Sequence, residues 1–175
     1  MSQSLNAPWR MEYIRSIEKH ATGPCFLCAA AAAEVSERRR LLLLWDTPLT
    51  IALMNRFPYA NGHLLIAPRA HKADPEDLTE EEAADLTRQT IRAVRLLRRT
   101  VSAQGFNIGI NVGRVAGAGV PGHIHQHVVP RWGGDINFMH VVGDVRVIPE
   151  AIMTLYDELM RVAAAMPISA DNPSP

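Results

Sequence analysis

Apolar residues fall into short blocks separated by turn formers along much of the chain. Residues 40–45 (RLLLLW) and 50–55 (TIALMN) predict two strands about an Asp46-Thr47-Pro48 turn. Residues 63–67 (HLLIA) predict a third, entered through Asn61-Gly62 and closed by Pro68, and residues 106–112 and 123–129 a fourth and fifth. Between the third and fourth the period changes. Thr79 and Glu82 form a capping box, and Ala83, Leu86, Thr90, Val94, Leu97 and Val101 follow at steps of three or four. Glu80, Glu81 and Glu82 sit in the first turn and Arg95, Arg98 and Arg99 in the last turns, complementing the helix dipole, and Gly105 ends the run. A second helix is expected over residues 149–166, with Ile152, Leu155, Tyr156, Leu159 and Val162 inward. The pattern predicts an α+β fold: an antiparallel five-stranded sheet with one long and one C-terminal helix.

Composition narrows the function classes. The chain has 175 residues, 47% hydrophobic and 21% charged, which suits one globular domain, placed at residues 9–166 with tails at 1–8 and 167–175. Eighteen Lys+Arg balance 18 Asp+Glu, so a general nucleic-acid binder is not expected. The arginines at 38–40 and on the long helix read as solvated surface, with an acidic ligand as the alternative. The start lacks the pattern of a secretory signal, and the longest apolar stretch, residues 26–33, is far below the ~20 residues that span a bilayer. A soluble cytoplasmic protein with no membrane partner is the expectation.

The densest chemistry lies at Gly122-His123-Ile124-His125-Gln126-His127-Val128-Val129-Pro130. On a strand, alternate side chains share a face, so the three histidines should project together, neighbours roughly 7 Å apart and the outer pair about 13 Å. One ion cannot hold all three on a flat strand, but neighbours can bracket a reacting phosphate or a bound ion. A single histidine reads best as a hydrogen-bonded structural ring, whereas three on one face make a poor core. Upstream, residues 111–122 carry Gly113, Gly117, Gly119 and Gly122. By itself this is a flexible hairpin; beside a histidine strand it reads as a backbone cradle for an anion.

The run His123-x-His125-x-His127 followed by two valines resembles the histidine triad (HIT) superfamily of nucleotide hydrolases and transferases. Residues 55–68 (NRFPYANGHLLIAP), 105–111 (GFNIGIN) and 130–139 (PRWGGDINFM) extend the similarity to bacterial members related to Fhit and the diadenosine tetraphosphate phosphorylases. The resemblance spans about residues 9–160. It implies a HIT-like fold, a homodimer joined sheet edge to sheet edge, and cleavage of dinucleoside polyphosphates or related adenylyl esters without a required cofactor. It also implies that His125 is the nucleophile, with a nucleotidyl-histidine intermediate, that His127 donates to phosphate, and that His123 supports the site. His63 matches the family's fourth histidine, Asn111 an amide contacting phosphate or leaving group, and Asn55 a ribose contact. Gly117, Gly119 and Gly122 mark the phosphate-binding backbone. Leu53, Phe57 and Ile66 are candidate neighbours of the base, although each reads first as plain core.

Two departures matter. Related enzymes often carry Ser or Gln three or four positions before the first triad histidine, where this chain has Gly119 and Val120, so that contact to the leaving group is missing. His127 is retained where the uridylyltransferase branch usually has Gln, which favours hydrolysis or phosphorolysis over hexose-phosphate transfer.

Cys25-Phe26-Leu27-Cys28 has the gap of half a zinc site, and His71 and His123 are the natural completions, an arrangement that many family members with an N-terminal CxxC resemble. Two buried reduced thiols are the alternative, and a thioredoxin-type pair is disfavoured because no βαβ unit follows. His20 and His140 belong to no motif. Against the enzyme stands a second class of protein, a zinc-containing nucleotide-binding module with little catalysis; zinc content and a nucleotide panel separate the two.

Overall fold

In a computed structural model of the chain, residues 25–135 and 151–166 are described. The expected tails, His20, His140 and Pro149 lie outside these residues; the second helix begins at Ile152, after an extended Ala151, later than the expected 149. Five strands, β1 (Leu43–Asp46), β2 (Thr50–Met54), β3 (Leu64–Pro68), β4 (Gly105–Ile110) and β5 (Gln126–Arg131), form one sheet in the order β1-β2-β3-β5-β4. Every pairing is antiparallel. A register shift between Leu43 and Trp45 brings Leu44 and Trp45 into one core cluster while Leu43 joins the other. The bulge explains why residues 40–45 show no alternation.

The helices are α1 (Phe26–Ala31), α2 (Glu80–Thr100) and α3 (Ile152–Ala164). α2 starts at the expected box: Glu82 N–H donates to Thr79 Oγ1 at 3.2 Å, and Thr79 N–H donates to Glu82 Oε2 at 2.8 Å. Lys72 Nζ donates to the same carboxylate oxygen at 2.6 Å and ties the cap to the preceding loop. The inward stripe needs correction. Ala83 is exposed, and the buried positions are Glu82, Asp85, Leu86, Gln89, Thr90, Ala93, Leu96 and Leu97. The polar members pair: Trp45 Nε1–H donates to Gln89 Oε1 at 2.9 Å, and Asp85 accepts from Thr47 Oγ1 at 2.6 Å and Gln89 Nε2 at 3.1 Å. Hydrogen bonding thus makes these positions burial-competent, which an apolar period cannot reveal.

The two faces of the sheet carry separate cores. Leu86, Ala93, Leu96 and Leu97 of α2, with Leu155, Tyr156 and Leu159 of α3, pack on Leu64, Ile66 and Val128. Leu27 and Ala30 of α1 pack on Leu43, Ile51, Leu53, Leu65 and Ala67. α1 is six residues without a side-chain cap, and the apolar run at residues 26–33 gave no helical period to predict it. Gly62 makes the tight entry to β3: its φ is +79°, and a Cβ there would meet Leu97 Cδ2 at 2.9 Å.

Candidate active site

Register decides which side chains reach the site. In the β3–β5 ladder Leu65 faces His127, whereas Ile66 faces Gln126 and Leu64 faces Val128. His127 therefore shares the α1 face with Leu65, while Val128 lies under α2. A slip of one residue would exchange the two sets. β5 begins at Gln126, later than expected, so only His127 of the three histidines lies on a paired strand. Freed from strand spacing, the His125 and His127 ring centroids lie 5.1 Å apart at 65° rather than at the expected 7 Å.

His63, one residue before β3, joins this pair: its Nε2 lies 2.9 Å from His127 Nδ1. The surrounding groups determine where the protons sit. Phe57 N–H donates to Asn55 Oδ1 at 2.9 Å, which turns the Asn55 amide nitrogen toward His63 Nδ1 at 3.2 Å. Tyr59 N–H donates to the same ring nitrogen at 3.1 Å. Two donors converge there, so His63 carries its proton on Nε2 and donates to His127 Nδ1. The proton of neutral His127 is then on Nε2. His125 has the opposite tautomer: its Nδ1 lies 2.8 Å from the His123 carbonyl, which can only accept, so Nε2 holds a lone pair. The site thus presents a ring nucleophile beside a ring donor.

Burial pushes His127 from the ordinary 6.5 down to about 4, with neighbouring His125 adding to the effect. Burial also lowers His125, against the opposing bond to the His123 carbonyl. A depressed histidine stabilises the fold fully above its unfolded value, and that stability is lost as pH falls through the folded value. Stability should therefore drop between pH 7 and about 4.5, by on the order of 2 kcal/mol from His127. Denaturant titrations at the two pH values check this, and His127→Gln should show a flatter dependence.

His123 is fully buried and turns away from the pair. Its Nε2–H donates to the Pro68 carbonyl at 2.9 Å, leaving Nδ1 to face Cys25 Sγ at 3.3 Å and Cys28 Sγ at 3.5 Å. Cys28 Sγ also lies 3.2 Å from His71 Nδ1. One ligand atom from each of Cys25, Cys28, His71 and His123 falls within 4.8 Å of the others. Two sulfurs and two imidazole nitrogens at these spacings suit tetrahedral zinc, whose bonds of about 2.3 and 2.0–2.1 Å set ligands roughly 3.3–3.8 Å apart. The Pro68 carbonyl supplies the outer bond that fixes the ligating tautomer of His123. The expected set of four is brought together.

Other expected residues are placed differently. Asn55 contacts His63 Nδ1 through its amide nitrogen and the Phe57 N–H through its Oδ1. Ile66 is fully buried in the α2 cluster, on the sheet face opposite His127, which removes it from any base slot; Leu53 is buried core on the α1 face. Gly117 has φ +90° and donates its N–H to the Arg114 carbonyl at 3.0 Å, so it shapes the loop turn instead of offering an open donor. Gly122 packs at the cysteine–histidine cluster, where a Cβ would come 3.4 Å from His71 Nε2. Asn111 is half-buried immediately after β4. Two contributors escaped the sequence reading. The Pro68 carbonyl has no side-chain signal, and Tyr59 gave no sign within its motif that it covers histidines.

On a five-stranded sheet, one imidazole with a free lone pair beside one that donates, next to a glycine loop, defines a class of site suited to a phosphate. Residues 40–134 match the HIT domain, and the chain belongs to that family. It is 42% identical over 155 residues to the AP-4-A phosphorylase of Mycobacterium tuberculosis, covering 86% of this chain and 78% of that one. It is 34% identical over 95 residues to the asymmetrical bis(5'-nucleosyl)-tetraphosphatase of Schizosaccharomyces pombe, covering 54% and 52%. Among solved structures, a Zn-bound histidine triad protein from Mycobacterium smegmatis superposes with a TM-score of 0.63 at 28% identity, over 81% of this chain and 94% of that one.

Proposed function

We propose that the protein is an enzyme cleaving dinucleoside polyphosphates of the diadenosine tetraphosphate type, with phosphate as the acceptor. The observation that carries this reading is the opposed tautomers of His125 and His127. His125 Nε2 attacks the α-phosphorus, its lone pair forming the N–P bond while the P–O bond to the leaving nucleotide breaks and that oxygen keeps the electron pair. The nucleotidyl-imidazolium retains its Nδ1–H on the His123 carbonyl. His127 Nε2–H donates a hydrogen bond to the phosphate, where charge develops. Phosphate then attacks from the vacated side, the N–P bond breaks, and His125 is restored. Asn111 and the backbone of Gly119 and Gly122 are assigned to the phosphate chain, and Asn55 to orienting His63. The 42% identity to an AP-4-A phosphorylase favours phosphate over water.

Mixing the protein with diadenosine tetraphosphate tests the reading. ADP plus ATP should appear when phosphate is present. AMP plus ATP, with or without phosphate, would make it a hydrolase, and no cleavage would overturn the proposal.

Cys25, Cys28, His71 and His123 would hold a structural zinc, which supplies a cross-link between the α1 segment and the histidine segment and no step of the reaction. We place the protein in the cytoplasm, a reading supported by two neighbouring cysteines that form no disulfide. Among the described residues no helix is long and apolar enough to cross a membrane. A homodimer is supported by β4, an outer strand of the sheet whose Ile108 is exposed, with Val112 exposed just beyond it. Sedimentation at micromolar concentration should give twice the chain mass, and a monomer there would exclude the dimer.

A further inference from the structure

We propose that Tyr59 is a positioning residue that keeps His127 in its donating tautomer; this rests on the role of His127 given above. The Tyr59 ring lies over both members of the histidine pair. Its centroid is 4.8 Å from that of His63 at 29°, and 5.8 Å from that of His127 at 27°. The ring therefore runs roughly parallel to both imidazoles and covers the His63 Nε2–H···Nδ1 His127 bond, while His63 itself is 1% exposed. Tyr59 is 44% exposed, so its ring separates that bond from water on this side. The loop holding it is closed by its own hydrogen bonds: Asn55 N–H to the His63 carbonyl at 2.9 Å, and His63 N–H to the Ala60 carbonyl at 3.1 Å.

The reason for a cover follows from imidazole chemistry. His63 can only donate through Nε2, because its Nδ1 already receives two donors. That fixes His127 as an Nδ1 acceptor and Nε2 donor. Water is both donor and acceptor, so water reaching Nδ1 would allow His127 to carry its proton there. Nε2 would then face the phosphate with a lone pair, replacing attraction with repulsion. An aromatic face excludes water at this position while offering neither a competing donor nor a competing acceptor to Nδ1. The backbone N–H of Tyr59 does a separate job on His63 that survives any side-chain change short of proline.

The test uses full-length protein carrying 15N-labelled histidine at neutral pH. In the wild type the His127 ring should read as protonated at Nε2 and unprotonated at Nδ1. In Tyr59→Ala the two forms should mix, and kcat should fall in proportion to the lost donor form, roughly 3- to 10-fold, with KM little changed. Tyr59→Phe should restore both the tautomer and kcat. Because the ring is partly exposed the alanine variant should fold; Tyr59→Ser gives the same reading if it does not. An unchanged His127 tautomer in both truncations would overturn the proposal, as would a phenylalanine variant as impaired as alanine, which would assign the work to the hydroxyl. The nitrogen spectra need no substrate. A shifted tautomer in a protein whose wild type cleaves no dinucleoside polyphosphate would therefore leave the positioning role standing and overturn only the assigned reaction.

Discussion

His125→Ala is expected to reduce turnover of diadenosine tetraphosphate by roughly 10⁴-fold or more, because no other group can supply the N–P bond of the intermediate. The loss should come with a folded protein. His125 is 5% exposed and makes one bond through Nδ1, at 2.8 Å to the His123 carbonyl. Leaving that carbonyl unpaired costs about 1–3 kcal/mol, below the 5–15 kcal/mol typical of a domain. A circular-dichroism melt alongside product analysis separates chemistry from folding. Activity within tenfold of the wild type would place the nucleophile elsewhere.

The second large effect concerns the cysteine–histidine cluster. Purified protein should contain about one zinc per chain, and Cys28→Ser should contain almost none while keeping the side-chain volume. Burial, and then the neighbouring Cys25 thiol, push the Cys28 thiol above its ordinary range, so without a metal Cys28 keeps its proton. Binding must displace it, and uptake should weaken as pH falls. The cluster joins α1 to the His71 loop and the histidine segment, elements more than 40 residues apart in sequence, as in the Cys28–His71 contact. Losing a link worth about 3–5 kcal/mol would lower Tm by roughly 10 °C in a chain of this size. Elemental analysis and a melting curve decide it; a variant that retains zinc or melts with the wild type would remove this role.

Much of the fold was legible because its determinants are local. The Thr79–Glu82 box, Asn61-Gly62 and the apolar blocks each announce an element within a few residues. The long-range elements of the site were less so. That His63 meets His127 depends on β3–β5 register across 64 residues, and the HIT resemblance pointed to it where pattern alone did not. CxxC suggested a metal, but only the fold shows His71 and His123 turning their Nδ1 atoms toward it. Ile66 reads first as core, and the register confirms it on the α2 face, away from the chemistry; periodicity gives alternation without saying which face holds the site. The HIT resemblance offered Asn55 as a ribose contact, and only the fold shows that the Phe57 N–H fixes its amide and directs the amide nitrogen to a neighbouring ring.

His123 divides its work between two chemically independent parts. The imidazole faces the thiols, and the carbonyl sets the tautomer of His125. Side-chain replacement reaches only the first, because every residue type carries a carbonyl. Variants at His123 therefore work as a decoupling tool. Activity lost together with zinc, and regained in a substitution that restores a ligand such as His123→Cys, would trace the defect to the mounting of the main chain. It would leave the intrinsic reactivity of the neighbouring ring unchanged.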